Sequence, residues 1–144
     1  MRDRLLFFIA AAFNWAAVAV LLAGGEKLFR YFGSPPPPDP VCYYLALLAV
    51  VLFGIGYLCV GLDPTRNHAM VAVGIIGKLA VFALFLYFCI QSWVPYVSLA
   101  VIGWDVVFAA FFCEFLVRRS FLLRRSIVGK TAPMAEPAAL TFNE

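Results

Sequence analysis

Four apolar runs, each roughly 19–22 residues long, are separated by short polar breaks, and each is close to the ~20 residues a helix needs to cross a bilayer. The spacing predicts spans over about 5–23, 41–62, 69–90 and 95–117. Gly24-Gly25 closes the first run. The mixed segment Glu26 to Phe32 follows, with Leu28, Phe29, Tyr31 and Phe32 interleaved with Lys27 and Arg30, as suits a short helix in the headgroup layer. Ser34 to Pro40 holds five prolines and reads as a stiff polyproline connector. Asp63-Pro64-Thr65-Arg66-Asn67-His68 is a tight polar turn. Gln91 to Pro95 is a short hairpin loop. The expected fold is therefore all-α, a four-helix transmembrane bundle occupying residues 1–130.

Past the fourth run, residues 118–130 alternate basic pairs with Phe121, Leu122, Leu123, Ile127 and Val128. This predicts a basic amphipathic extension of the last helix along the headgroups. Residues 131–144 have no apolar period and are expected to be disordered. The first run has a second reading, a cleaved signal peptide with Ala23-Gly24-Gly25 as the cleavage site. Its length and its internal Asn14 favour a retained span.

Composition sharpens this picture. The chain is 65% hydrophobic and 13% charged, whereas soluble domains run near one quarter charged. Lipid, rather than water, is the solvent such a chain suits. Its net charge of +3 gathers beside a membrane segment, which favours anionic headgroups over nucleic acid. With four spans, both termini share one side. Arg2, Arg4, Arg66, Arg118, Arg119, Arg124, Arg125 and Lys130 fall on that side, and only Lys27 and Arg30 fall opposite. The positive-inside rule then puts both termini in the cytoplasm. Trp93 and Tyr96 mark the far interface.

Candidate chemistry is sparse. Cys42, Cys59, Cys89 and Cys113 form no C-x-x-C pair and read as small apolar residues. One histidine, His68, is a poor basis for a zinc or haem site, so no metal or cofactor is expected. No phosphate loop, zinc-protease motif or nucleophile elbow is present, which argues against an enzyme.

Two charges stand out. Lys78 lies ten residues past His68 and Asp105 ten past Pro95, which puts each about 15 Å along its helix. A lone Lys or Asp at such depth costs roughly 2.5–3.5 kcal/mol. The two are expected to face each other, with Asn14, central in the first span, close by. This midplane cluster has three readings: a structural docking pair, a transport or ligand pocket, or a charge meant for another subunit.

Gly54, Gly56, Gly74 and Gly77 are expected to bring the second and third helices together. Tyr57 is expected near the cytoplasmic turn, and Glu114 is expected to pair with Arg118 at i,i+4. Arg66, Asn67 and His68 read as headgroup or partner contacts, with Asn67 also placed to cap the third helix. Arg118, Arg119, Arg124 and Arg125 read as headgroup contacts too.

The order Asn14, a proline-rich stretch, Gly54-x-Gly56-Tyr57, Asp63-Pro64-x-Arg66-Asn67 and Gly74-x-x-Gly77-Lys78 resembles small bacterial inner-membrane proteins, broadly DoxX-like four-helix proteins, over about residues 5–117. The resemblance implies the four-helix topology and a bacterial inner membrane. It transfers no catalytic residue. The leading expectation is a non-enzymatic accessory subunit of a larger membrane complex or a homo-oligomer. The alternatives are a small transporter or ligand-binding protein, and a quinone- or redox-linked accessory subunit with Tyr57 and the midplane pair near the carrier.

Overall fold

The computed structural model describes the backbone of residues 2–131 and the side chains of residues 2–121. Within those bounds the protein is all helical: α1 (Arg2–Tyr31), α2 (Pro40–Leu62), α3 (His68–Ile90) and α4 (Val97–Thr131). All four are long and apolar enough to cross a membrane. The tail expected to be disordered, apart from Thr131, lies outside the described residues, as do the side chains of Arg124 and Arg125.

Helix ends follow local chemistry. Gly25 takes φ 46°, ψ −140°, a left-handed conformation that interrupts α1 and re-aims its last turns. Beyond it, Arg30 pairs with Glu26 at 3.3 Å. Asp39 caps α2 by accepting from the N–H groups of Val41 (2.8 Å) and Cys42 (3.4 Å), and Pro40 occupies the first turn, where a missing N–H costs nothing.

Asn67 departs from its expected role. It sits at the N-cap position of α3 without a side-chain capping bond. Its amide nitrogen instead donates to the carbonyls of Cys59 (3.1 Å) and Asp63 (3.0 Å). The last carbonyls of a helix lack intrahelical partners, so an NH2 group within reach of α2 goes to them. The α3–α4 loop closes with Ser92 at φ 60°, and Trp93 stacks on Phe88 at 5.6 Å.

The helices pair as two antiparallel hairpins. Backbones approach most closely between α1 and α2 and between α3 and α4, and α2 lies less intimately against α3. Large rings fill the space between hairpins. Phe7 of α1 packs on Phe112 (4.9 Å) and edge-on to Phe115 (5.1 Å) of α4, and Phe13 meets Phe108 at 5.4 Å. Tyr57 of α2 meets Phe112 at 5.1 Å. Such ring pairs contribute about 0.5–1.5 kcal/mol each beyond area burial. The outer faces stay apolar, with Leu48, Leu52, Ile55, Val73 and Ile76 all exposed.

The glycine expectation needs correction. Gly54 faces α1, where the Trp15 indole lies over it, and Gly61 takes the Phe8 ring. Gly56, Gly74 and Gly77 do lie between α2 and α3, but they receive Met70, Tyr57 and Phe53 side chains. The missing Cβ atoms make room for side chains rather than for close backbone contact.

Candidate functional site

The Lys78 ammonium on α3 is bonded to Asp105 Oδ1 on α4. Lys78 is only 6% exposed and Asp105 22%. The ammonium also lies 5.3 Å from the centre of the Phe108 ring and 5.6 Å from that of Tyr57, where the negative faces of the rings favour a cation. Gly74, one turn before Lys78, makes this possible. A Cβ there would lie 2.7 Å from Tyr57 Cε1 and 3.0 Å from its hydroxyl, so glycine alone admits the ring. Tyr57 is therefore a core residue, 1% exposed, rather than an anchor near the polar turn.

Asn14 is brought to a different partner. It is 7% exposed, and its amide donates to the Val50 carbonyl of α2 at 3.4 Å. Among the described residues, no hydrogen bond joins it to Lys78 or Asp105. Next to it, Trp15 Nε1 donates to the Val51 carbonyl at 3.3 Å. Toward the opposite end of α1, the Tyr43 hydroxyl donates to the Leu21 carbonyl at 3.1 Å. Sequence reasoning missed Trp15 and Tyr43. The available signal was an N–H donor beside Asn14 at mid-span, where a polar hydrogen needs an acceptor.

A second charged cluster joins the start of α1 to α4. Arg118 binds Asp3 at 2.5 Å and reaches Glu114 at 3.9 Å, and Arg2 binds Glu114 at 3.0 Å. The local Glu114–Arg118 pair is thus part of a bridge between helices, in which Arg2 and Asp3 were not foreseen. Arg119 lies 5.6 Å from the Phe115 ring centre, and the His68 ring 6.1 Å from the same ring. His68 Nε2 is buried without a hydrogen-bond partner among the described residues. Arg66 pairs with Asp63 at 3.7 Å. These groups occupy one end of the bundle and the midplane pair another level. The four cysteines are free thiols.

Two carboxyls outside the spans are held below their ordinary value of 3.8. The Cys42 thiol and the N–H groups at the start of α2 do this for Asp39. The Thr65 hydroxyl and N–H do it for Asp63.

Comparison with protein-family models, with curated proteins and with solved structures found no match to this chain.

The geometry of the midplane pair limits the chemistry. The ammonium is spent on one carboxylate and two rings. Two clefts among the described residues lie elsewhere, one between Leu5, Ile9 and Phe111 and the other beside Leu116 and Phe121. Neither is lined by Asn14, Lys78 or Asp105.

Proposed function

We propose that this chain is a non-enzymatic accessory subunit of a larger membrane assembly, with both termini in the cytoplasm. The observation that carries the reading is the burial of the Lys78 ammonium against Asp105, Tyr57 and Phe108. Intramembrane charges that serve a pathway face water-filled space. This pair instead joins α3 to α4, so it supports docking of helices over handling of a solute. The apolar outer faces, which include Trp104 and Val107 on α4, supply surface for a neighbouring subunit. The excess of basic residues at the terminal end supports the cytoplasmic orientation. The motif resemblance supports a bacterial inner membrane as the location.

Purification in a mild detergent tests the main claim. A membrane protein should co-purify in fixed stoichiometry, and a solitary monomer from the native membrane would overturn the reading. Orientation has its own test. In a cysteine-free background, Ser34→Cys should react with an impermeant maleimide on intact cells and Ser120→Cys should not. The reverse pattern would invert the topology.

A further inference from the structure

A half-open cleft of about 420 Å³ lies between the start of α1 and the Phe111–Arg118 stretch of α4, within the ~300–1,000 Å³ range of small-ligand sites. Its walls change character along the helix axis. Arg2, Asp3, Glu114 and Arg118 form one end, and Leu5, Ile9 and Phe111 line the rest. From Asp3 to Ile9 is about 9 Å of helix. A charged rim above an apolar trough of that depth matches the polarity of a phospholipid, headgroup first and acyl chain after.

Charge selects the kind of lipid. Asp3 and Glu114 are already engaged by Arg118 and Arg2. The same helical turns carry Arg4 and Arg119 as well, so four arginines stand against two carboxylates. The lining of the cleft is itself balanced, Arg2 and Arg118 against Asp3 and Glu114, and Arg4 and Arg119 leave this end of the bundle with two positive charges in excess. Each guanidinium also has five N–H donors, and among the described residues Arg2 uses one nitrogen, with its side chain 77% exposed. We propose that this cleft seats one anionic phospholipid, its phosphate against Arg2 and Arg118 and one acyl chain along Leu5, Ile9 and Phe111. The proposal rests on the membrane reading but not on the orientation or on any partner subunit.

Native mass spectrometry of the full chain in nonionic detergent tests it, with dioleoyl phosphatidylglycerol and dioleoyl phosphatidylcholine offered in equal amounts. The expected result is one retained phosphatidylglycerol, favoured over phosphatidylcholine by about fivefold or more, the worth of one basic residue at an anionic surface. Arg2→Gln should lower that preference, and Ile9→Trp should abolish retention by filling the trough. Both side chains are more than half exposed, Arg2 at 77% and Ile9 at 51%, so the fold tolerates the changes. Ile76→Trp, on the outer face of α3 at 68% exposure, adds equal bulk elsewhere and should leave retention unchanged. Equal retention of the two lipids would overturn the proposal, as would wild-type preference in both cleft variants. A lipid-free dimer that Ile9→Trp dissociates would also overturn it, because a second copy would then be the occupant. Partner co-purification is a separate readout, so the subunit reading and the lipid seat can fail independently.

Discussion

The two hairpins of this protein are held by different chemistry. Within α1–α2, neutral side-chain donors reach backbone carbonyls: Asn14 to Val50, Trp15 to Val51 and Tyr43 to Leu21. Within α3–α4, one full ion pair does the work. The neutral bonds are individually modest, because an unfolded helix in lipid also finds partners. Double-mutant cycles for such bonds average about 0.6 kcal/mol, with a maximum near 1.7. The ion pair behaves asymmetrically. Its net worth against an apolar replacement is small, but loss of one partner strands a charge away from water, at about 3–5 kcal/mol. The α1–α2 hairpin should therefore weaken gradually under mutation, and the α3–α4 hairpin abruptly.

The largest expected effect tests that contrast directly. Asp105→Asn leaves Lys78 charged and without a counterion, and should cost about 3–5 kcal/mol in denaturant unfolding in detergent micelles. Lys78→Met combined with Asp105→Leu should cost clearly less than Asp105→Asn alone. A double variant as damaged as the single would mean the pair does more than dock helices. Charge exchange, Lys78→Asp with Asp105→Lys, should recover folding lost in each single variant.

Next in size is a steric comparison across the α2–α3 contact. Gly74→Ala drives a Cβ into the fully buried Tyr57 ring and should cost about 1–3 kcal/mol by overpacking. Gly56→Ala meets only the flexible end of Met70. It should stay within about 1 kcal/mol of wild type, the scale of the Gly-to-Ala helix preference. Equal losses at the two sites would show that the helices meet by close backbone contact after all.

Asn14→Ala sharpens the other half of the comparison. Its bond to Val50 is long, and the loss should fall near 0.6 kcal/mol and below about 1.7. A loss as large as that of Asp105→Asn would tie Asn14 energetically to the ion pair. The smallest effect is at the cap of α2. Because the Asp39 carboxyl is held below 3.8 in the folded protein, its stabilising contribution is complete above that pH. It is lost as pH falls through the lowered folded value. Protection of the Val41 and Cys42 amides relative to their intrinsic exchange should fall only in that acid range, and Asp39→Ala should lack that protection at every pH.

How much of this was legible beforehand varies by feature. Helix number and approximate limits follow from run length and from Gly25, Asp39-Pro40 and the Asp63–His68 turn. The level of Lys78 and Asp105 follows from counting residues, since helix rise is fixed at 1.5 Å. Facing directions were harder. Tyr57 was expected beside the polar turn and lies in the core. Asn14 gives its hydrogen bond to the Val50 carbonyl of α2, a partner that counting residues does not name. Gly54 is expected at the α2–α3 contact and instead receives Trp15 of α1.

One physical reason covers these cases. In lipid, the outer face of a helix is as apolar as its inner face, so hydrophobic periodicity does not mark which side is buried. By itself the sequence determined four apolar helices and two opposite charges at matching depth. Tertiary structure alone decided which helices pair most closely, which ring covers the ammonium, and that Asp3 and Arg118 would meet across 115 positions of chain. Those outcomes depend on side-chain shape filling the space between helices, and no local pattern along the chain encodes that.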